Sequence, residues 1–479
     1  MNYSIVFYII GWILNFEAAF MVLPTAVALI YRESEVWCFL ATMAVCLMVG
    51  MLLVRRKPKN QIFYVAESFV AVSLSWVLLS VMGAVPFVLS GYIPNPIDAL
   101  FETVSGFTTT GASILSSVEQ LPKCLLFWRS FTHWIGGMGV LVFLLSVLPM
   151  VGGSHMNLMK AESPGPIVSR LVPKVQMTAK LLYQIYLGMT ILEAVILILG
   201  KMPIFDAITI TVGTAGTGGF AIRNDSLASY TAFQKNVVTV FMILFGVNFN
   251  FYFFLLMRKI GQAFKMQEVR AYFLIIASAI GIITVNTGSL CGNALQAFQD
   301  AAFQVGSVIT TTGYATVDFD KWPQLSRTVM VLLMFIGACA GSTGGGIKVS
   351  RVLILLKSVK KELKQYLHPS AVEKIKMDGK IVEHEVVRST NVFMVAYVLI
   401  FTVSVLLISL DEYDLVTNFT AVTATFNNIG PGLALVGPTG NFGFFSNFSK
   451  VVLIFDMLAG RLEIFPVLLL FSRETWKRF

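Results

Sequence analysis

Charge is what this sequence has least of. Only 13% of its 479 residues are Asp, Glu, Lys or Arg, while 56% are hydrophobic and the mean hydropathy is +0.77. A soluble domain is roughly 25% charged, so a soluble globular protein of this length is excluded. Histidine is also thin: four residues, with no ligand spacing. The five cysteines (Cys38, Cys46, Cys124, Cys291, Cys339) are scattered and form no CxxC. That excludes a disulfide framework and a Cys/His metal centre, and leaves the cysteines as small apolar residues. No nucleophile–base pair is legible, so the chain is not read as an enzyme. His133, in Phe131-Thr-His-Trp-Ile-Gly-Gly-Met-Gly139, is the one histidine inside an apolar run. It reads as a hydrogen-bonded structural residue, because buried polar groups find partners.

What is abundant is apolar sequence in runs of about 20 residues, long enough to cross a bilayer. Full spans are expected at 5–31, 36–54, 62–90, 124–150, 180–200, 232–257, 271–291, 326–357, 389–410 and 448–471. The first carries Glu17 and Pro24, unlike a cleavable signal peptide. Four segments between them, 96–107, 203–214, 294–309 and 413–426, are too short to cross. Each starts with a helix-entry signal such as Asn95-Pro96 or Pro203, or a nearby acid such as Asp98, Asp206, Asp300 or Asp414, and reads as a re-entrant half-helix. The expected fold is an all-α polytopic membrane protein. Two N-terminal spans (1–60) precede four span–half-helix–span units at 61–150, 151–260, 261–360 and 361–479.

A shared pattern follows each half-helix: Thr108-Thr109-Thr110-Gly111-Ala112, Ala215-Gly216-Thr217-Gly218-Gly219, Thr310-Thr311-Thr312-Gly313-Tyr314 and Asn427-Asn428-Ile429-Gly430-Pro431. Aligned on Gly111, Gly218, Gly313 and Gly430, the repeats are 107, 95 and 117 residues apart. A glycine ending such a turn takes φ > 0 and turns carbonyls toward an axis. Four turns about one axis make a ring of oxygens that replaces the hydration shell of a monovalent cation. Non-helical backbone at membrane depth is tolerated where it lines a watery cavity.

The remaining charge fixes orientation. With a cytoplasmic N-terminus, 25 of the 35 Lys/Arg fall in inside loops, among them Arg55, Lys160, Arg170, Lys174, Arg258 and ten between Lys348 and Arg388. The positive-inside rule then puts both termini in the cytoplasm and the four turns toward the exterior. The net charge of +9 needs no nucleic acid partner; juxtamembrane bias toward anionic lipid suffices. The one sizeable polar stretch, about 358–388, reads as a short cytoplasmic helix and hairpin with a turn at Met377-Asp-Gly-Lys380.

Two features interrupt the apolar spans. Gly337-Ala-Cys-Ala-Gly341-Ser342-Thr343-Gly344-Gly345-Gly346-Ile-Lys348 puts five glycines into ten residues of one span. Each costs a helix about 1 kcal/mol relative to alanine, so the span breaks there, and the break reads as a gating loop. It nearly fits a phosphate loop, but Ile347 separates Gly346 from Lys348 and no strand precedes it. Close packing through small residues is the structural alternative. Arg461 is a charge inside the last span, either a barrier in a pore or a salt bridge to Glu463 or Asp456. Lys348 either acts similarly or snorkels to the inner surface.

Together, Gly106-Phe-Thr-Thr-Thr-Gly-Ala-Ser113, the segment around His133, the glycine-rich loop and Leu458-Ala-Gly-Arg-Leu-Glu-Ile-Phe-Pro-Val-Leu-Leu-Leu-Phe471 resemble the Trk/Ktr/HKT superfamily of potassium transporters. The two leading spans resemble its TrkH-type branch. The resemblance implies a homodimer in the bacterial inner membrane, one pore per subunit. It further implies a cytosolic TrkA-like ring that binds nucleotides, NAD(H) or ATP/ADP, and controls opening. In plant HKT relatives a serine at the first filter glycine goes with sodium transport; glycine at 111, 218, 313 and 430 favours potassium. K+ is thus the expected cargo, with no organic cofactor in this chain. The alternative is a sodium- or proton-coupled potassium symporter using buried acids among Glu17, Glu67, Glu193 and Asp456.

Overall fold

In a computed structural model the chain is described over residues 2–55, 58, 65–139, 175–369 and 373–476. Lys160, Arg170, Lys174 and the second half of the expected span 124–150 lie outside these residues. Among the described residues the regular secondary structure is helical apart from one two-stranded hairpin, Lys376–Met377 with Lys380–Ile381. It is a multi-pass membrane protein. Among the described residues six helices are long and apolar enough to cross a bilayer, or seven with one bent pair counted as a span.

The short helices start within two residues of the expected positions, although Asp300 lies inside the third and does not start it. Asn95 caps Pro96–Phe107 by accepting from the Ile97 amide at 3.0 Å. Asn293 caps Ala294–Ile309 and Asp414 caps Leu415–Phe426, each through its side-chain oxygen. Pro203 precedes Ile204–Gly216, with Asp206 in its first turn. Such caps satisfy amides that a helix start leaves without partners. We call these four the pore helices.

Each unit opens on a continuous first span: Val65–Leu89, Val175–Leu199, Gln267–Cys291 and His384–Ile408. The second spans depart from the sequence reading. A break was expected only in the third unit, yet three are broken. In unit two, Ala232–Phe245 and Phe249–Leu256 meet at 92°. Gly246 sits against the Tyr272 hydroxyl, and Asn248 caps the second piece by accepting from Asn250 N at 2.9 Å. In unit three, twelve loop residues separate Gln324–Ile336 from Val349–Leu367. In unit four, Asn447–Arg461 ends and Phe465–Phe471 begins after Glu463 and Ile464, both at positive φ (61° and 68°). Positive φ at a β-branched residue is a genuine outlier, and nothing in the local sequence announces it.

The main core joins units one and four to the N-terminal helix Tyr3–Phe20 through Phe39, Trp76, Phe107 and Trp128. A second core surrounds unit three. Cys38, Cys46, Cys124 and Cys339 are free and buried. Glu33 accepts from the amides of Lys123 and Cys124 at 2.7 and 2.9 Å, capping Lys123–Met138 from the N-terminal region.

Candidate functional site

All four pore helices end at one place, and their last residues are buried: Thr108, Thr217, Thr310 and Asn427 are the C-caps. Beyond each, positive φ recurs at alternate residues. Thr109 and Gly111 are at 57° and 79°, Thr217 and Gly219 at 53° and 75°. Thr311 and Gly313 are at 58° and 88°, Asn428 and Gly430 at 56° and 100°. The second turn is therefore Gly216-Thr217-Gly218-Gly219, and the glycine equivalent to Gly111 is Gly219. The alignment on Gly218 is off by one residue, because two adjacent glycines leave the register open to sequence reasoning.

The glycines show how the turns are arranged. A Cβ on Gly111 would collide with the carbonyl oxygen of Gly218, on Gly219 with that of Thr312, and on Gly313 with that of Ile429. On Gly430 it would lie 2.9 Å from that of Thr110. Each glycine thus faces the carbonyl just before the next unit's glycine, and the sequence of contacts closes from unit four to unit one. One cavity is lined by Gly111, Gly219, Gly313 and Gly430 together.

Side chains behind the ring fix the turns. Thr108 and Thr110 hydroxyls lie 2.8 Å apart, and Thr310 and Thr312 repeat the contact at 2.7 Å. Asn428 Nδ2 donates to Thr110 Oγ1 at 2.9 Å, tying turn four to turn one. The Tyr314 hydroxyl donates to the Ile210 carbonyl at 3.1 Å, tying turn three to pore helix two. His133 is buried and hydrogen-bonded, as expected. Its Nε2 accepts from the Phe220 amide at 3.1 Å, so its Nδ1 is the donor to the Gly106 carbonyl at 2.7 Å. Glu102 pairs with Arg129 at 2.6 Å and accepts from Ile114 N at 3.0 Å, bracing the chain after turn one.

The glycine-rich loop presses against this ring. Gly345 N donates to Thr311 Oγ1 at 2.6 Å, and Gly346 N to the Asn427 carbonyl at 3.1 Å. A Cβ on Gly344 would lie 2.8 Å from the Thr310 carbonyl, and one on Gly345 2.5 Å from that of Asn427. The close-packing and loop readings of these glycines are thus one fact. Ser342 Oγ donates to the Cys339 carbonyl at 2.6 Å inside the loop. Lys348 is buried and does not snorkel: its Nζ donates to the Gly344 carbonyl. No phosphate loop is built here, since a helix leads into the segment.

Arg461 joins loop to ring. Its guanidinium donates to Thr343 O at 2.8 Å, Thr109 Oγ1 at 3.2 Å, Gly137 O at 2.9 Å and Gly136 O. The expected alternative, a bridge to Glu463 or Asp456, is not what these acids do. Glu463 pairs with Arg351, and Asp456 accepts from Ser404 Oγ at 2.6 Å.

Of the other acids, Glu67 accepts from Asn2 N at 2.8 Å. Glu17 and Glu193 are 1% and 0% exposed, and neither forms an ion pair among the described residues; Glu193 lies beside the Thr214 side chain. Sequence reading missed Asn248 and Glu268, buried polar residues at the loop's flanks. Glu268 reads as a boundary residue in a charged stretch, and only the bend at 246–248 brings the two together.

Comparison with known proteins agrees on one family. Residues 36–478 match the family TrkH, described as cation transport protein. The Trk system potassium uptake protein TrkH of Salmonella typhimurium is 36% identical over the full length of both chains. The TrkG protein of the same system in Escherichia coli is 33% identical over 99% of this chain and 98% of its own. The crystal structure of the potassium transporter TrkH from Vibrio parahaemolyticus superposes with a TM-score of 0.89 at 34% identity, covering all of both chains.

Proposed function

This chain belongs to the TrkH family of cation transport proteins, whose relatives are named as transport proteins and not as enzymes, and we propose that it conducts potassium into the cell. The ring of Gly111, Gly219, Gly313 and Gly430 is its selectivity filter, with Thr108–Ala112, Gly216–Gly219, Thr310–Tyr314 and Asn427–Pro431 as the contributing turns. The observation that carries this reading is the closed fourfold sequence of glycine-to-carbonyl contacts. Backbone oxygens held at fixed spacing stand in for the water a potassium ion sheds. The four pore helices turn their C-terminal ends to the same point, where the negative end of the helix dipole favours a cation.

Below the filter, Gly341–Gly346 is the gate. In the arrangement described the loop packs on turns three and four, with the Arg461 charge beside it; conduction requires that loop and guanidinium move off the axis. We place the protein in the bacterial inner membrane with both termini cytoplasmic, following the Lys/Arg bias. We further propose a homodimer whose opening is controlled by a TrkA-like cytosolic ring binding NAD(H) or ATP/ADP. The relatives' membership of a "Trk system" supports more than one component. The helix Val349–Leu367 and the hairpin 376–381, rich in lysine, form the docking face offered to it.

Single-protein recording in a planar bilayer under a potassium gradient alone tests this. A reversal potential at the potassium equilibrium value supports a channel. A value that shifts with a sodium or proton gradient supports the second reading, a coupled carrier, which the buried carboxylates of Glu17 and Glu193 favour.

A further inference from the structure

We propose that Glu268 is the latch that holds the gating loop shut, a positioning role that deepens the gate reading and rests on it. Glu268 lies in the first turn of Gln267–Cys291, outside the loop and outside the ring. It is 6% exposed. Its Oε1 accepts from Ala340 N at 2.7 Å and from Ser350 N at 3.1 Å. Its Oε2 accepts from Asn248 Nδ2 at 3.2 Å. Ala340 stands on one side of the Gly341–Gly346 segment and Ser350 on the other. One oxygen therefore clasps both ends of the piece that must move.

The three donors explain why a carboxylate is needed. Ser350 is the second residue of Val349–Leu367, where the amide has no partner within its helix and a negative charge is favoured. Ala340 N points away from any ladder, since the loop is not helical. Hydrogen bonds to an ionised acceptor are roughly twice as strong as neutral ones, and this acceptor receives three. Asn248 completes the clasp from the bend of unit two. Its Oδ1 already accepts from Asn250 N, which leaves its Nδ2 free to face Glu268. Backbone bonds run alongside: Phe249 N to Gly341 O and Cys339 N to Gly246 O, both 3.0 Å. The loop's outer flank is thus pinned to the break in unit two, and the two broken spans form one mechanical unit.

The latch is tested in full-length protein reconstituted alone in liposomes, by rubidium uptake. Glu268→Gln keeps Oε1 as a neutral acceptor but sets an amide donor against Asn248 Nδ2. Basal flux rises roughly tenfold, the effect of about 1.4 kcal/mol on a closed–open equilibrium. Asn248→Asp retains the cap on Asn250 but opposes two carboxylates, and raises flux in the same direction. Combined, the new carboxylate accepts from the new amide, and flux returns toward the parent value. Potassium-over-sodium selectivity is unchanged in all three, because the ring is untouched. A residue needed only for folding gives the opposite pattern: additive losses in the double variant, with falling selectivity and melting temperature, and that result overturns the proposal. Gly345→Ala serves as the control for the gate itself. If it raises flux while Glu268→Gln and Asn248→Asp both leave it at the parent level, the latch is wrong and the gate stands. If none of the three raises flux, the gate reading falls, and the latch with it. Should Glu268→Gln fail to fold, Asn248→Asp alone decides: flux at the parent level overturns the latch.

Discussion

The ring and the loop that touches it are built on opposite principles. The contacts that shape the ring are mostly neutral and repeated, with paired threonine hydroxyls in turns one and three and carbonyls faced by glycines in all four; the Arg461 guanidinium on Thr109 Oγ1 is the charged exception. The loop is held largely by ionisable side chains: Arg461 from the last span to Thr343 O, the loop's own Lys348 to Gly344 O, and Glu268 clasping its flanks. A repeated backbone geometry has no single handle by which it is released. A loop hung on a few charged side chains does, because moving one of them breaks several bonds at once. The difference matches a filter that stays formed while a gate opens.

The largest effect is expected where the ring itself is broken. Gly313→Ser puts a Cβ onto the Ile429 carbonyl at a residue held at φ 88°. Selectivity for rubidium over sodium, measured as liposome flux, falls at least roughly tenfold, as loss of about 1.4 kcal/mol at one site would give. Gly111→Ser behaves alike. Unchanged selectivity in both removes the filter assignment. Gly219→Ser joins this class, which checks the corrected register.

Next come loop substitutions, which raise flux without changing selectivity. Gly345→Ala pushes against the Asn427 carbonyl, so the loop leaves the ring and basal flux rises severalfold. Gly341→Ala meets nothing closer than 3.6 Å and strains only its own φ of 67°, so its effect is smaller. Equal effects from both make displacement from the ring the wrong cause.

Arg461→Ala sharpens the comparison from the side of charge. Two unit charges about 4 Å apart repel by roughly 4 kcal/mol at an effective dielectric near 20 and by about 1 in water, so potassium flux rises. Arg461→Lys keeps the charge but cannot reproduce a planar fork that reaches oxygens from three segments. Its flux lies between parent and alanine. If alanine conducts no faster and melts lower in detergent while lysine restores the melting temperature, Arg461 is structural.

How much of this was legible depends on whether the signal is local. The pore helices carry their own caps, and Pro96–Phe107 and Val36–Val54 start and stop where the sequence places them. Five glycines announced the loop. The second turn was misaligned by one because Gly218 and Gly219 are chemically identical and only backbone φ separates them. The breaks at 246–248 and 462–464 were missed because one lone glycine and an Ile464 forced to φ 68° answer to tertiary packing. Arg461 stands out in the sequence as a charge inside a span, yet its partners, the Thr109 hydroxyl and three carbonyls, lie 118 and more residues away, which no sequence window contains. Glu463 lay two residues from Arg461 and pairs with Arg351 instead.

The smallest effect is expected at the seam between the two regions, and it tests whether they separate at all. Thr311 belongs to the ring by its backbone, at φ 58°, and to the loop by its hydroxyl, which accepts from Gly345 N at 2.6 Å. Thr109 occupies the same place in turn one, where its hydroxyl accepts from Arg461 at 3.2 Å. Thr311→Val keeps the β-branched shape and so the turn, but leaves the Gly345 amide without its acceptor. A neutral hydrogen bond contributes about 1 kcal/mol, so basal flux rises about fivefold with selectivity intact. Thr109→Val does less, since Arg461 keeps three carbonyl acceptors. Flux through rubidium-loaded liposomes, paired with sodium competition, reads both quantities at once. If Thr311→Val loses selectivity along with closure, the hydroxyl shapes the carbonyl ring as well as the loop. Filter and gate are then one structure, and the contrast between a neutral ring and a charged clasp does not hold.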